Sequence, residues 1–524
     1  MAVATDETQP LLRSVTNEGH QVYTDPDPAP PLQTENGTAD IAGEITIIDF
    51  DPAGDPENPL EWPTPFKWAV VSMLACMAFT VTMTCISPVP LSTTIVRDLS
   101  RSPSPSKSAS VLLVTIWELG EAAGPLLIAP LSEMYGRRPV MNACNLLFVL
   151  AALLAATAQS VPCFVLARML NGLAVASNVL NPAIVGDMFA SEERGAALSL
   201  IYLAPLVGGA VGPLIGSAVA ERWGWRAVVW ATAVLASACE GVFLMGFRET
   251  YKVAILRRRV KKLSGHAANS GRVFKTALDE SEELDGSGGM QGARGWGKLR
   301  DAVLRPAIVL FGSGVLMAMS LFSSVVFTFF YVYSTTFSDI LIDIYTQSPV
   351  AVGFCFTVFS VGSTISVVLC NRTLDRIYIR MRHTHKGVGK PEFRLPLAII
   401  GALALPLAVA AYGWAAELKL PLLFLLFAVC AMGTALMLAM IPVMAYVVDA
   451  FGLFSASAMT GIIVTRCLMS TFLPLTTTPL IGMFGYGWGF TILAGFCLVF
   501  APIPVLMLRY GAYWRKFSKY SRDA

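Results

Sequence analysis

The chain has 524 residues, of which 55% are hydrophobic and 14% are charged, and its mean hydropathy is +0.61. A soluble domain of this length could not hide so much apolar surface in one core, so the composition excludes an ordinary soluble enzyme. The net charge of +2 gives no sign of a nucleic-acid partner.

The first predicted region is a disordered N-terminal tail, residues 1–66, which is acidic and rich in Pro, Thr and Asp. Such a composition cannot bury enough apolar surface to fold. No signal peptide is recognisable, so the first span is expected to direct membrane insertion. Within the tail, residues 7–12 (ETQPLL) resemble an acidic dileucine signal, which favours a vacuolar membrane as the alternative to the plasma membrane.

Apolar blocks long enough to cross a bilayer follow the tail. A helix needs about 20 apolar residues to cross the hydrocarbon layer, and in lipid only a helix satisfies every backbone group of a single segment. The predicted spans lie near residues 68–90, 110–131, 140–158, 161–187, 196–219, 227–247, 306–336, 349–370, 395–416, 421–446, 456–481 and 488–508. The sequence therefore predicts an all-α integral membrane protein with twelve transmembrane helices.

A polar segment divides these spans into two equal sets. Residues 67–247 and 305–508 are expected to form two six-helix bundles, joined by a flexible linker at 248–304 and followed by a C-terminal tail at 509–524. Lys and Arg are dense in the loop after span 2, the linker, the loop after span 8 and the C-terminal tail. The positive-inside rule therefore places both termini and the linker in the cytosol.

The loop after span 2 carries the most specific motif, PLSEMYGRRP at residues 130–139. It looks like the corresponding loop of the major facilitator superfamily, and more narrowly that of the fungal twelve-span drug:proton antiporters. The sequence departs from the superfamily pattern, because Ala129 replaces its first Gly, Glu133 its Asp and Met134 its first basic residue. The fungal branch commonly shows such changes.

Weaker matches run in order along nearly the whole membrane region. They are residues 55–63 before span 1, Arg168 and Gly172 in span 4, Gly208, Gly212, Pro213 and Gly216 in span 5, residues 248–251 after span 6, residues 391–396 before span 9, and Tyr446, Asp449, residues 455–458, Arg466 and residues 472–475 in the last spans. In the second half, only Asp375-Arg376 remains recognisable of the loop motif. The resemblance implies two pseudo-symmetric bundles around a central cavity, with no cofactor or metal.

Two groups of residues are expected to serve conformational change. Gly136 permits a tight turn, and Arg137 and Arg138 can bond helix-end carbonyls or a carboxylate such as Glu133, which would form a latch. Spacing alone slightly favours two arginines that merely obey the positive-inside rule, and the resemblance reverses that preference. Gly208, Gly212 and Gly216 line one helix face, and Pro213 bends the span, which predicts a close contact between the two halves or, about equally, ordinary tight packing.

Charged residues inside spans are costly and therefore informative. Glu118 and Glu121 share one face of span 2, and two carboxylates in a dry site cannot both ionise cheaply. All four histidines lie outside the spans, so a carboxylate must carry any transported proton. We expect Glu118 to pair with Arg168 of span 4 and Glu121 to carry the proton. Alternatively, both glutamates are solvated at the cavity mouth and only hold helices together.

Aromatic residues crowd span 7, and a minority of them is expected to contact a large, flat, apolar substrate. We predict Phe327, Phe330 and Tyr331 for this role, with Tyr446 and Arg466 as further substrate-binding residues. The alternative is that these rings face lipid or neighbouring helices.

These patterns predict a monomeric, proton-coupled efflux transporter for hydrophobic small molecules such as a secondary metabolite, a toxin or an antifungal drug. The alternative function is proton-coupled uptake of a small organic solute by the same fold. No Ser/His/Asp, paired-histidine or metal-ligand spacing supports an enzyme, and the ten cysteines form no close pair of metal-ligand spacing.

Overall fold

A computed structural model describes residues 45–51, 54–101, 106–190, 193–266, 273–276, 295–385, 389–518 and 520–521. The dileucine-like segment and most of the predicted N-terminal tail lie outside the described residues, as do the acidic part of the linker and the last three residues.

Among the described residues, the first half of the membrane region has eight α-helices. They are α1 (Thr64–Ile86), α2 (Ser92–Ser100), α3 (Lys107–Tyr135), α4 (Arg137–Thr157), α5 (Val161–Leu173), α6 (Ser177–Met188), α7 (Arg194–Trp223) and α8 (Trp225–Gly246). Helices α3 and α4 are separated by Gly136 alone, whose φ of 101° is a conformation that L side chains rarely adopt.

Among the described residues, two helices lie between the first half and the spans of the second half, α9 (Lys252–His266) and α10 (Gly295–Phe311). The second half then has seven α-helices in the described part of the chain. They are α11 (Gly314–Asp343), α12 (Pro349–Thr384), α13 (Pro396–Glu417), α14 (Leu422–Phe451), α15 (Ser455–Phe472), α16 (Thr477–Phe500) and α17 (Pro502–Arg515).

Within the described part of the chain, eleven helical stretches are long and apolar enough to cross a membrane. The last stretch, Ser455–Arg515, has 61 residues and is interrupted at Gly485, whose φ of 74° is not helical. Because one crossing needs about 20 residues, this stretch accounts for two of them. The prediction of an all-α protein with twelve spans is thereby confirmed.

The seventh span starts later in the structure than the sequence suggested. Residues 306–311 belong to α10, and α11 begins only at Gly314, after Ser313 caps it by accepting a hydrogen bond from the backbone N–H of Leu316 (3.4 Å). A Gly-Ser pair before an apolar run is a helix-start signal, which the hydropathy pattern alone conceals.

The linker helix α9 is docked on the segment that precedes α1. Arg259 donates to Asp55 and Glu57 over 2.6 Å each, and the short strand β1 (Ile45–Ile48) pairs in parallel with β2 (Val273–Thr276). The hydrogen bonds from Arg259 lower the pKa of Asp55 to about 2. Asp55 therefore stays charged, and the contact persists, at any pH well above that value.

Glycines allow close helix contacts inside the first half. A Cβ on Gly120 of α3 would lie 2.0 Å from the carbonyl oxygen of Met169 in α5, and a Cβ on Gly172 of α5 would lie 2.0 Å from the carbonyl oxygen of Trp117. Helices α3 and α5 therefore approach closely enough for their backbones to touch, as in membrane helix pairs built on small residues.

The span-5 glycines pack within one half and not between the two halves. A Cβ on Gly208 would lie 2.8 Å from the carbonyl oxygen of Phe79 in α1, and Gly212 lies against Met83 of the same helix. A Cβ on Gly216 would lie 2.7 Å from the carbonyl oxygen of Ser87, the residue that follows α1. The other face of α7 meets the second half, because the carbonyl oxygen of Pro213 lies against Gly353 of α12. The predicted glycine contact between the halves is therefore corrected to a contact with α1.

Replacing Gly120 by Ala is expected to force α3 and α5 apart and to destabilise the protein by roughly 1–3 kcal/mol, a typical effect of overpacking. Thermal unfolding in detergent measures this change. Gly241→Ala in α8 is the matched control, since a Cβ there meets nothing within 4 Å. Equal melting temperatures for the two variants would contradict the close contact.

Candidate functional site

A cavity of about 1040 Å³ lies between the two halves. Helices α1, α3, α6 and α7 line it from the first half, and α11, α12, α14 and α15 from the second. The residues that line the cavity extend from Ile86 and Tyr333 at one end to Asp375 and Arg394 at the other. The side chain of Asp375 is 76% exposed. The cavity therefore reaches solvent at the end of the bundle where α1 begins and α17 ends, which we call the termini end.

Glu121 of α3 is held at the cavity by three side chains, those of Trp117, Asn178 and Arg466. Its Oε2 accepts from Nε1 of Trp117 (3.1 Å), and its Oε1 accepts from Nδ2 of Asn178 in α6 (2.8 Å). Nη2 of Arg466 in α15 lies 3.8 Å from the same Oε1, and its guanidinium lies over the ring of Phe327. Because α3 and α15 belong to different halves, this ion pair joins the halves.

Glu118, one turn before Glu121, makes a second contact between the halves. Its Oε1 accepts from the hydroxyl of Tyr331 in α11 over 2.7 Å, and the side chain is buried. The other oxygen, Oε2, has no hydrogen-bond partner among the described residues. Glu118 and Glu121 of α3 thus each contact a residue of the second half.

Arg168 does not form the expected pair with Glu118. It donates to the carbonyl oxygens of Thr84 (2.9 Å) and Cys85 (2.7 Å), and its guanidinium lies 4.8 Å from the ring centroid of Trp117. These carbonyls belong to the last turn of α1, where backbone acceptors have no partner within the helix. Arg168 therefore satisfies a helix end, which hydropathy and depth could not reveal.

A metal ion is a possible occupant by ligand type alone. Glu118, Glu121 and Cys467 offer one ligand atom each within 4.8 Å of one another. Arg466 lies beside the same carboxylates, and its positive charge would oppose a bound cation. The cluster is better suited to binding protons and forming hydrogen bonds.

The predicted aromatic residues of span 7 line the cavity. Phe327, Phe330 and Tyr331 contact one another edge-on or tilted, with ring centroids 5.1–6.2 Å apart. Tyr333 and Phe359 extend this wall as a stacked pair, with centroids 4.8 Å apart. The sequence analysis did not select Tyr333, because only a minority of the span-7 rings was expected to contact substrate. It missed Phe359, because α12 is rich in apolar residues on all sides.

Tyr446 lies away from the cavity and is removed from the predicted substrate-binding set. It is fully buried in the second half, whereas the cavity-lining residues of α14 are Met437 and Ile441. Five residues beyond Ile441, a side chain points about 140° further around the helix. The resemblance marked Tyr446 without fixing the direction of its side chain.

Arg137 belongs to a cluster that we call the first clamp, formed by Ser132, Arg137, Asp187 and Glu249. Arg137 donates to Ser132 (Nη1 to Oγ, 2.6 Å) and to Asp187 at the end of α6 (Nε to Oδ2, 3.3 Å). Glu249, after α8, accepts from the backbone N–H of Arg137 over 2.7 Å. The clamp ties the α3–α4 turn to the ends of α6 and α8, all within the first half.

Two details of the expected latch are corrected. Arg137 uses Asp187 and not Glu133, which is exposed. The side chain of Arg138 is also exposed, and its backbone N–H donates to Glu249 over 3.3 Å. Asp187 was not among the predicted latch residues, because it is distant from Arg137 in sequence.

The second half has a corresponding cluster at the termini end, the second clamp. Arg394, before α13, pairs with Asp449 of α14 and with Asp375 of α12 (3.1 Å to Oδ1), and Arg515 donates to Glu392 (Nε to Oε1, 2.9 Å). The two clamps are equivalent in position. The first joins the turn before α4 to the ends of α6 and α8, and the second joins the turn before α13 to the ends of α14 and α17. The degenerate Asp375-Arg376 motif contributes through Asp375.

Replacing Gly136 by Ala is expected to weaken the first clamp. The new Cβ would lie 2.4 Å from Oε2 of Glu249, in addition to the strain of roughly 1–3 kcal/mol from the positive φ. Gly224→Ala shares a positive φ of 80° but meets nothing within 4 Å, so it isolates the strain. Melting temperatures should fall further for Gly136→Ala, and equal falls would argue against a role for Glu249.

Comparisons with known proteins agree with this architecture. The sequence model of the Major Facilitator Superfamily matches residues 69–474. The chain is 31% identical to MFS-type transporter penM of Penicillium rubens, over 95% of each chain, and 28% identical to efflux pump radE of Floropilus chiversii, over 90% of this chain and 86% of that protein. The crystal structure of a D-xylose-proton symporter superposes with a TM-score of 0.61, at 17% identity, over 88% of this chain and 99% of that chain.

Proposed function

Because the chain belongs to the Major Facilitator Superfamily, we propose that this multi-pass membrane transporter exports hydrophobic small molecules in exchange for protons. The observation that carries the proposal is the contact of both α3 carboxylates with the second half, Glu118 with Tyr331 and Glu121 with Arg466. Protonation of either carboxylate changes a contact on which the arrangement of the halves depends.

Glu121 is the proposed proton carrier. When it is ionised, its charge attracts Arg466 across the interface, and in surroundings of low dielectric constant this attraction is strong. A proton on Glu121 removes the attraction and favours a rearrangement of the halves. Loading the proton from outside and releasing it to the cytosol would thus drive each cycle of alternating access.

The groups that face this carboxylate come from every neighbouring element. They are Glu118 on the same helix, Cys85 of α1, Tyr331 of α11, and Arg466 and Cys467 of α15. Arg168 of α5 lies over the neighbouring ring of Trp117. Arg168 is already engaged by the carbonyls of α1, which leaves Arg466 as the cation that responds to protonation. We therefore assign proton coupling to Glu121 with Arg466, and a supporting role to Glu118.

The direction of transport is inferred from charge and from the relatives. Dense Lys and Arg at the termini end support a cytosolic position for that end, by the positive-inside rule. The cavity, which reaches solvent there, would then collect substrate from the cytosol, as an exporter requires. The relative named efflux pump radE supports the same direction. We propose the plasma membrane as the location.

Replacing Glu121 by Gln, which mimics the protonated form, is expected to reduce gradient-driven transport by roughly 5- to 150-fold, the usual range of a coupling free energy. Purified protein in vesicles with an imposed pH gradient and a panel of hydrophobic fluorescent compounds provides the measurement. Exchange without a gradient should fall less than gradient-driven transport, because the aromatic wall is unchanged.

Glu240→Gln serves as the matched control, since Glu240 is a buried carboxylate of α8 that does not line the cavity. Its gradient-driven transport should equal that of the unmodified protein. Unchanged coupling in both Glu121→Gln and Glu118→Gln would place the proton site elsewhere. Accumulation of compound on the proton-poor side together with protons would instead indicate uptake by symport.

The orientation has its own test. Epitope tags on both termini should be accessible only after the plasma membrane of intact cells is permeabilised. A tag that antibodies reach on intact cells would contradict the cytosolic assignment of that terminus.

A further inference from the structure

The ion pair between Glu121 and Arg466 is incomplete in a way that leaves room for a ligand. The distance of 3.8 Å from Nη2 to Oε1 exceeds a hydrogen bond, and the two side chains keep 12% and 18% of their surface exposed at the cavity. Nε of Arg466 has no hydrogen-bond partner among the described residues. Each Glu121 oxygen accepts one hydrogen bond, from Trp117 or from Asn178, and can accept another.

We propose that the substrate is a flat, largely apolar molecule with one neutral polar end, in which a hydrogen-bond donor stands next to an acceptor. Secondary lactams have this pattern. The donor binds the carboxylate of Glu121, and the acceptor binds the guanidinium of Arg466. The assignment rests on the proposed efflux function and specifies the chemistry of its substrate site.

The charges around the pair favour a neutral end over a charged one. An anion bound to Arg466 would be repelled by Glu121 and by Glu118, whose carboxylate oxygens lie within 4.8 Å of one another. A cation bound to Glu121 would be repelled by Arg466 at 3.8 Å. A neutral group that has both a donor and an acceptor bridges the two side chains from the cavity. It leaves neither charge uncompensated in a dry site.

The body of the substrate fits the aromatic wall beside the pair. Phe327 is held under the guanidinium of Arg466 with 4.1 Å between ring centroid and guanidinium carbon, and Phe330 and Phe359 continue the surface into the cavity. Flat apolar rings gain both buried area and favourable aromatic contacts there. The polar end is thereby placed at the ion pair.

The same carboxylate then binds either the substrate donor or a proton. A protonated Glu121 presents an O–H where the substrate needs an acceptor, so protonation weakens substrate binding even though the substrate is uncharged. Competition for one group is sufficient to exchange proton for substrate during a transport cycle.

Binding of phenanthridinone, a flat tricyclic lactam, and of its N-methyl derivative tests the proposal. The two compounds share the rings and the carbonyl, and only the lactam has the N–H donor. In the unmodified protein in lipid nanodiscs, the lactam should bind about tenfold more tightly, the usual gain from a hydrogen bond to a charged group. Equilibrium binding without any gradient gives both affinities.

Variants separate the two ends of the recognition. In Glu121→Met the affinity of the lactam should fall to that of the N-methyl compound. The affinity of the N-methyl compound should itself stay constant, which would show that the cavity is intact. Arg466→Gln should weaken both compounds by a similar factor, because both have the carbonyl acceptor. Glu240→Gln should change neither affinity.

Equal affinities of the two compounds for the unmodified protein, or no binding of the lactam, would overturn the proposal. A preference for the lactam that persists in Glu121→Met would also overturn it. If Glu121→Met does not fold, the comparison in the unmodified protein decides by itself. These outcomes are distinct from failure of the efflux function, because binding is measured at equilibrium and efflux under a gradient.

Discussion

A charged side chain inside a membrane protein is stable only when another group compensates it, because desolvation costs several kcal/mol per ion. Here the charges of the cavity are compensated between the halves. Glu121 depends on Arg466 and Glu118 on Tyr331, so neither half is electrostatically complete without the other. Arg168 shows the contrast, since it is satisfied within the first half by carbonyls of α1. We therefore propose that the relation between the halves is sensitive to a single proton on Glu121.

This sensitivity requires that each half moves as a unit. At the termini end, the first clamp around Arg137 and the second clamp around Arg394 fasten the helix ends within each half. Close backbone contacts between α3 and α5 stiffen the first half further. Contacts between the halves are concentrated where α7 meets α12 and where α3 meets α15. Motion is therefore expected along those two interfaces, and the docked helix α9 adds a tie between the linker and the start of α1.

The fold was predictable because long apolar runs have one solution in lipid, and the loop motif pointed to the first clamp. The choice of partners was not predictable. Arg168 and Glu118 lie at similar depth, but depth does not fix the direction of a side chain around its helix. The same ambiguity misplaced Tyr446. Asp187 and Glu249 were missed as clamp residues, because both are distant from Arg137 in sequence and look like ordinary helix-end charges.

The central claim is that the charge of Glu121 controls the arrangement of the halves. Spin labels at Glu193 and Arg380, two exposed positions near the termini end of different halves, report that arrangement through their distance distribution. In the unmodified protein, acidification should shift the population between two distances, and Glu121→Gln should show the acidic population at every pH. A distribution in Glu121→Gln that still shifts with pH as in the unmodified protein would contradict the claim.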